Sequence, residues 1–176
     1  TSMFCGTAFA AAFACPAPMT EVGTTFMRFS GAQYLGTTIA LDSNSMTIRM
    51  RVRTAQVTGG LMSVVSSFVL TTIDHDRELY FANGKVCSRV WAPGEEIICT
   101  AGTYNDNAWH VIERGFAAGQ TTHYLKVDNE TVYGTTQSVA AWNPVGFVLG
   151  VCSRANTASC GSSGANTYFT GDIDYV

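Results

Sequence analysis

Charge is scarce in this sequence: only 13% of its 176 residues are Asp, Glu, Lys or Arg, and they sum to −3. A basic footprint of the kind that neutralises phosphates is missing, which argues against a nucleic-acid partner. No apolar run is long enough to span a bilayer as a helix. Helical periodicity is nearly absent after the first twenty residues. The sequence contains no G-x-S-x-G, no H-E-x-x-H, no P-loop and no dinucleotide fingerprint, so those hydrolase and nucleotide chemistries have no signature here. None of its cysteines form a C-x-x-C, which leaves zinc ribbons and thioredoxin-type redox chemistry unsupported, and no cofactor is expected.

What is present is polar but uncharged: Thr, Ser, Asn, Gln and Gly between apolar residues, which suits an extracellular β-rich protein. Six cysteines fall as sequence neighbours, Cys5 and Cys15, Cys87 and Cys99, Cys152 and Cys160. An even count at local spacing reads as a disulfide framework in an oxidising compartment. Fifteen pairings are formally open. The expected one is sequential, each bridge closing a short loop and stabilising by roughly 2–3 kcal/mol. Asn129-Glu130-Thr131 is an N-glycosylation sequon at an expected turn.

Period-two alternation recurs along the chain. In "MTIRMRVR", Met46, Ile48, Met50 and Val52 face one way and Thr47, Arg49, Arg51 and Arg53 the other, as in a strand with one buried face. "LMSVVSSFVLTTI" is a nearly continuous apolar run, expected deep in a sheet. "TTIDHDRELYF" reads as two strands joined by a tight turn at Asp74-His75-Asp76. A longer hairpin turns at 117–120, with a second return after Asp128-Asn129, and "VGFVLGVC" and "TYFTGDIDYV" complete the set. Turn residues at regular spacing indicate an all-β sandwich or barrel in one domain.

The order of these segments resembles a laminin-G-like domain of the concanavalin-A-like jelly rolls. "FSGAQYL" leads into the alternating strand ending Arg53-Thr54. Trp109, His110 and Val111 match a W-H-x-V step, Leu125, Val127 and Asp128 an L-x-V-D turn, and Phe169, Gly171, Ile173 and Asp174 a closing F-x-G-x-I-D strand. The resemblance covers residues 26–176 and implies a two-sheet antiparallel jelly roll, with residues 1–25 as an apolar extension. It further implies that His110 lies beside a core tryptophan. A calcium site of the family kind would draw on positions near Ser66, Ser67 and Asn143, which offer no carboxylate, so no metal site is expected.

Asp172 and Asp174 in "FTGDIDYV" share one strand face, the arrangement a glycoside hydrolase or lyase would use. However, the run is D-x-D with Val176 last, and no E-x-D-x-x-E occurs elsewhere. Both are therefore expected to be scaffold acids, solvent-facing or turn-capping, with no catalytic residues. Asp74, His75 and Asp76 are expected to be a solvated turn.

Two non-enzymatic readings remain. In the first, the chain is a lectin-like module for a glycan or protein. Arg49, Arg51 and Arg53 form a cationic stripe at steps of about 6.5–7 Å, suited to acidic sugars or simply paired with acids on neighbouring strands. Trp91 and Trp142, expected in loops, stack on sugars or plug the sandwich ends. In the second, favoured reading, the uncharged leader "TSMFCGTAFAAAFACPAPMT" buries Phe4, Phe9 and Phe13 in a neighbouring copy, building an extracellular filament from a secreted structural or adhesive subunit. The leader folding back on its own sandwich is the alternative.

Overall fold

The computed structural model describes residues 2–5, 15–21, 23–38, 46–66, 68, 75–91, 94–116, 122–135, 144–152 and 167–176, with the backbone alone at 2–5, 75, 91, 116 and 167. Every regular element among them is a β-strand. One sheet runs in the order β1 (Ser2–Cys5), β4 (Leu35–Thr38), β13 (Gly146–Leu149), β6 (Gly59–Val65), β7 (His75–Ala82), β8 (Lys85–Trp91), β9 (Glu95–Cys99). The other runs β12 (Glu130–Thr135), β11 (Thr122–Val127), β10 (Trp109–Phe116), β5 (Met46–Arg53), β16 (Thr170–Ile173), β3 (Thr24–Ser30), β2 (Ala17–Glu21). Both sheets are antiparallel, and together they form the expected jelly-roll sandwich.

The core lies where the alternation puts it. Met50 and Val52 of β5, Ile112 of β10 and Leu125 and Val127 of β11 meet Met62, Val64, Leu79, Phe81 and Val86 of the facing sheet. Phe169 enters between the sheets, with ring centroids 6.0 Å from Phe29 and 6.4 Å from Phe81. β6 is buried at every position because the short pair β14 (Val151–Cys152) and β15 (Thr167–Tyr168) packs against it. That packing requires glycine at position 60, where a Cβ would sit 1.9 Å from the Cys152 amide nitrogen. This explains why "LMSVV" is continuous rather than alternating.

The Cys87–Cys99 bridge joins β8 to β9 as expected. Cys15 and Cys152 are also disulfide-bonded, but the expected pairings with Cys5 and Cys160 fall on side chains outside the described residues.

Three expectations are corrected. His75 and Asp76 are not a hairpin tip: β7 begins at His75, opposite Val65, so the connection from β6 spans residues 66–74. Asp76 is buried and its carboxylate accepts from the adjacent Arg77. Trp91 ends strand β8 opposite Glu95 rather than sitting in a loop. Parts of residues 1–25 belong to the sandwich: β1 pairs with β4 at the edge of one sheet, and β2 with β3 at the edge of the other. Phe4 lies within β1, its side chain not described; Phe9, Phe13 and Trp142 lie outside the described residues.

Candidate functional site

The outward face of the second sheet carries a row of charged and aromatic side chains. Its register sets Trp109 beside Arg53, Val111 beside Arg51, Glu113 beside Arg49 and Gly115 beside Thr47. One flank of this face is closed by ion pairs. Arg53 donates through Nε and Nη2 to Asp172 Oδ2 at 3.0 and 2.7 Å, and Nη2 reaches Glu21 at 2.8 Å. Arg28 donates to both oxygens of the same carboxylate at 2.8 and 3.1 Å, and Arg51 donates to Asp174 at 3.0 Å. The guanidinium carbons of Arg51 and Arg53 lie 4.6 and 4.8 Å from the Trp109 ring centroid, and Phe26 meets that ring edge-on at 5.5 Å.

This clamp answers what the D-x-D does. Asp172 is only 4% exposed, not solvent-facing as expected from sequence. Burial alone would raise its carboxyl, but the hydrogen bonds and charges of Arg28 and Arg53 outweigh burial and hold it below the usual carboxylate range. A carboxylate committed to two arginines is a poor acid or base at neutral pH. Trp109 is likewise not a core residue: it is half-buried on this outer face.

The other flank is open. Arg49 and Lys126 are exposed and carry no ion pair among the described residues. Together with Val111, Glu113, Asp128 and Asn129 they border a shallow hollow of about 330 Å³. Beside it, Tyr124 of β11 packs against Gly115, where a Cβ would come within 2.7 Å of the ring, and its hydroxyl donates to Glu113 at 2.8 Å. Its cross-strand partner Tyr133 of β12 is 69% exposed. A bare tyrosine ring on the same sheet face as these cations and carboxylates offers a stacking surface with donors and acceptors along it.

A half-buried histidine clamp holds Asp128 at the rim of the hollow. His110 Nδ1 is 2.7 Å from Asp128 and Nε2 is 2.8 Å from Asp106, so the imidazolium form donates to both. Burial would lower this histidine, but the two carboxylates prevail and raise it above the ordinary value. Asp128 also accepts from the Val111 amide at 2.9 Å, locking the turn that carries Asn129.

Other ionisable groups are sealed in. Glu78 is fully buried, and burial pushes it up to about 7 despite Arg89 at 3.4 Å. Arg114, 1% exposed, is lowered to about 10 by burial. His123 approaches Glu96 at 3.3 Å without hydrogen-bond alignment, and burial lowers it. Among the described residues, no group of three or more His, Cys, Asp or Glu side chains is placed to hold a metal ion.

Of the residues singled out from sequence, the structure brings Arg49, Arg51 and Arg53 onto one face but commits only the last two to acids. Asn129 is exposed at its turn. Sequence reasoning missed Tyr124, Tyr133 and Lys126, whose signal was their place on the polar side of "THYLKV" and "ETVYGT". It also missed Arg28, which meets Asp172 across 144 residues and left no local signal.

No family model and no curated protein matches the sequence. Solved structures do. Domain 4 of a GH43 extracellular arabinanase from Geobacillus stearothermophilus, in complex with arabinotriose, superposes with a TM-score of 0.68 at 12% identity, covering 98% of this chain and 79% of that one. Laminin alpha1 chain domains LG4-5 from mouse give 0.63 at 13% identity over 95% of this chain, which spans 45% of the laminin fragment. The CBM40 of a Ruminococcus gnavus IT-sialidase, bound to alpha2,3 sialyllactose, gives 0.58 at 15% identity, covering 85% of each chain. The fold of this chain is the laminin-G-like, concanavalin-A-like jelly roll that its ordered motifs resemble.

Proposed function

We propose that the chain is a non-enzymatic binding module for an extracellular oligosaccharide, received on the open flank of the second sheet. The observation that carries this reading is Tyr133, a bare ring on the same outward sheet face as the hollow that Arg49 and Lys126 border, opposite Tyr124 in the strand register. The tyrosine gives a sugar ring an apolar platform. Glu113, Asp128 and Asn129 accept from hydroxyls, while Arg49 and Lys126 donate to hydroxyls or to an acidic substituent. The saccharide complexes of two structural neighbours support the class of ligand. The Cys87–Cys99 bridge fits an oxidising, extracellular setting. A non-catalytic role is supported by the acids themselves: Asp172 and Asp174 are held by arginines and Glu78 has no access to solvent.

Calorimetric titration with arabinotriose and with alpha2,3 sialyllactose tests this. Tyr133→Ala should weaken whichever sugar binds by about tenfold or more. The pair Arg49→Ala, Lys126→Ala should weaken the acidic sugar alone. Binding that survives all three substitutions rejects the site.

A second reading is self-association through the leader, in a secreted adhesive subunit that polymerises. One observation favours it: β1 is a four-residue edge strand paired on one side only, the kind of strand that exchanges between copies. Light scattering on the whole chain decides it, since a monomer at every soluble concentration excludes assembly by this route.

A further inference from the structure

The geometry points to a second ligand site inside the sandwich, for a small aromatic molecule bearing one hydroxyl or N–H group. Between the sheets lies a cavity of about 280 Å³, walled by Met27, Phe29 and Ile173 on one side and Leu35, Phe147 and Leu149 on the other. It is distinct from the outward face described above. Thr37 and Asp174 also line it, and Tyr175 and Val176, both exposed to solvent, border its mouth and give a route in.

Two features of this cavity specify the occupant. An apolar cavity of about 150 Å³ suffices for benzene, so this one suits roughly ten heavy atoms rather than a sugar or a lipid tail. Three of its side chains, Phe29, Phe147 and Tyr175, are aromatic, which favours a flat ring. Two polar side chains interrupt this apolar lining: Asp174 at the mouth, whose carboxylate Arg51 holds at 3.0 Å, and Thr37 of β4, which shares the inter-sheet face with Leu35. Thr37 is 5% exposed, and its Oγ1 has no hydrogen-bond partner. A buried hydroxyl without a partner is rare in folded proteins. Next to an open apolar cavity, it marks where a ligand's polar group would bond. A phenol or indole satisfies both the wall and the hydroxyl; toluene satisfies the wall alone.

The test is titration of the whole chain with p-cresol and with toluene, followed by NMR and by melting temperature. p-Cresol is expected to bind at sub-millimolar concentration, more tightly than toluene. Thr37→Val, which keeps shape and removes the hydroxyl, should weaken p-cresol by about tenfold and leave toluene unchanged. Met27→Trp, which fills the cavity from its half-buried rim, should abolish both. The inference is overturned if neither compound binds, if Met27→Trp leaves binding intact, or if Thr37→Val affects the two alike. A dimer that p-cresol cannot dissociate or enter would assign the cavity to a second copy and overturn it as well.

Discussion

Replacing Asp172 by asparagine should cost the fold far more than an ordinary surface substitution. The side chain is central to its sheet, with β16 between β3 and β5, and its Oδ2 accepts two bonds from Arg53 at 2.7 and 3.0 Å. Charge-assisted bonds of this kind are each worth about 1.5–3 kcal/mol, and asparagine keeps one carbonyl acceptor for them. Arg53 retains Glu21 at 2.8 Å, but that partner is half-exposed and screened. The Arg28 bonds reach into water and add nothing to the estimate. The expected loss is therefore about 2–3 kcal/mol, or about 5–10 °C in melting temperature for a chain of this size. Calorimetry across pH makes the cause visible. Because the folded carboxyl is held below its unfolded value of about 3.9, its contribution is complete above that pH. It disappears as pH falls through the folded value. The gap between native chain and Asp172→Asn should be flat from pH 8 to about 5 and close below about pH 4. A melting shift under about 1 °C at pH 7, or a gap that persists undiminished at the acid end, would refute the clamp.

His110 works in the opposite direction. Its raised folded value means that its stabilisation is full below about pH 6.5 and is lost as pH rises through the folded value, so His110→Gln should flatten the melting curve's pH dependence in that window. Glu78, at about 7 in the fold, binds its proton more tightly folded than unfolded. The native chain should therefore lose stability relative to Glu78→Gln as pH rises from about 4.5 to 8, and parallel curves would contradict its burial. Removing the Cys87–Cys99 bridge by a double alanine substitution should cost about 2–3 kcal/mol in urea unfolding, and an unchanged midpoint would count against the loop-entropy argument.

The clearest strands were legible because their chemistry is local. "MTIRMRVR" alternates with one apolar face, and β5 has that face inward and its arginines outward. The Asp128-Asn129 turn and the Cys87–Cys99 pair could be read for the same reason. The Asp74-His75-Asp76 turn was misplaced because three polar residues in a row look like a loop. In the fold, Asp76 and Arg77 satisfy one another and are buried. Trp109 was expected in the core because the family resemblance implied a core tryptophan beside His110. It faces outward because arginines on the neighbouring strand cover its ring.

The order of the motifs carried the resemblance to a jelly roll, while composition and period by themselves determined an all-β chain with little charge and a disulfide framework. These follow from the spacing of neighbours along the chain, which pleat geometry turns directly into faces. Which arginines are free and which are held, whether Asp172 meets water, and that an unpartnered threonine hydroxyl borders a cavity between the sheets were decided only by the tertiary structure. Each depends on side chains brought together from strands far apart in sequence, and distance through space has no trace in distance along the chain.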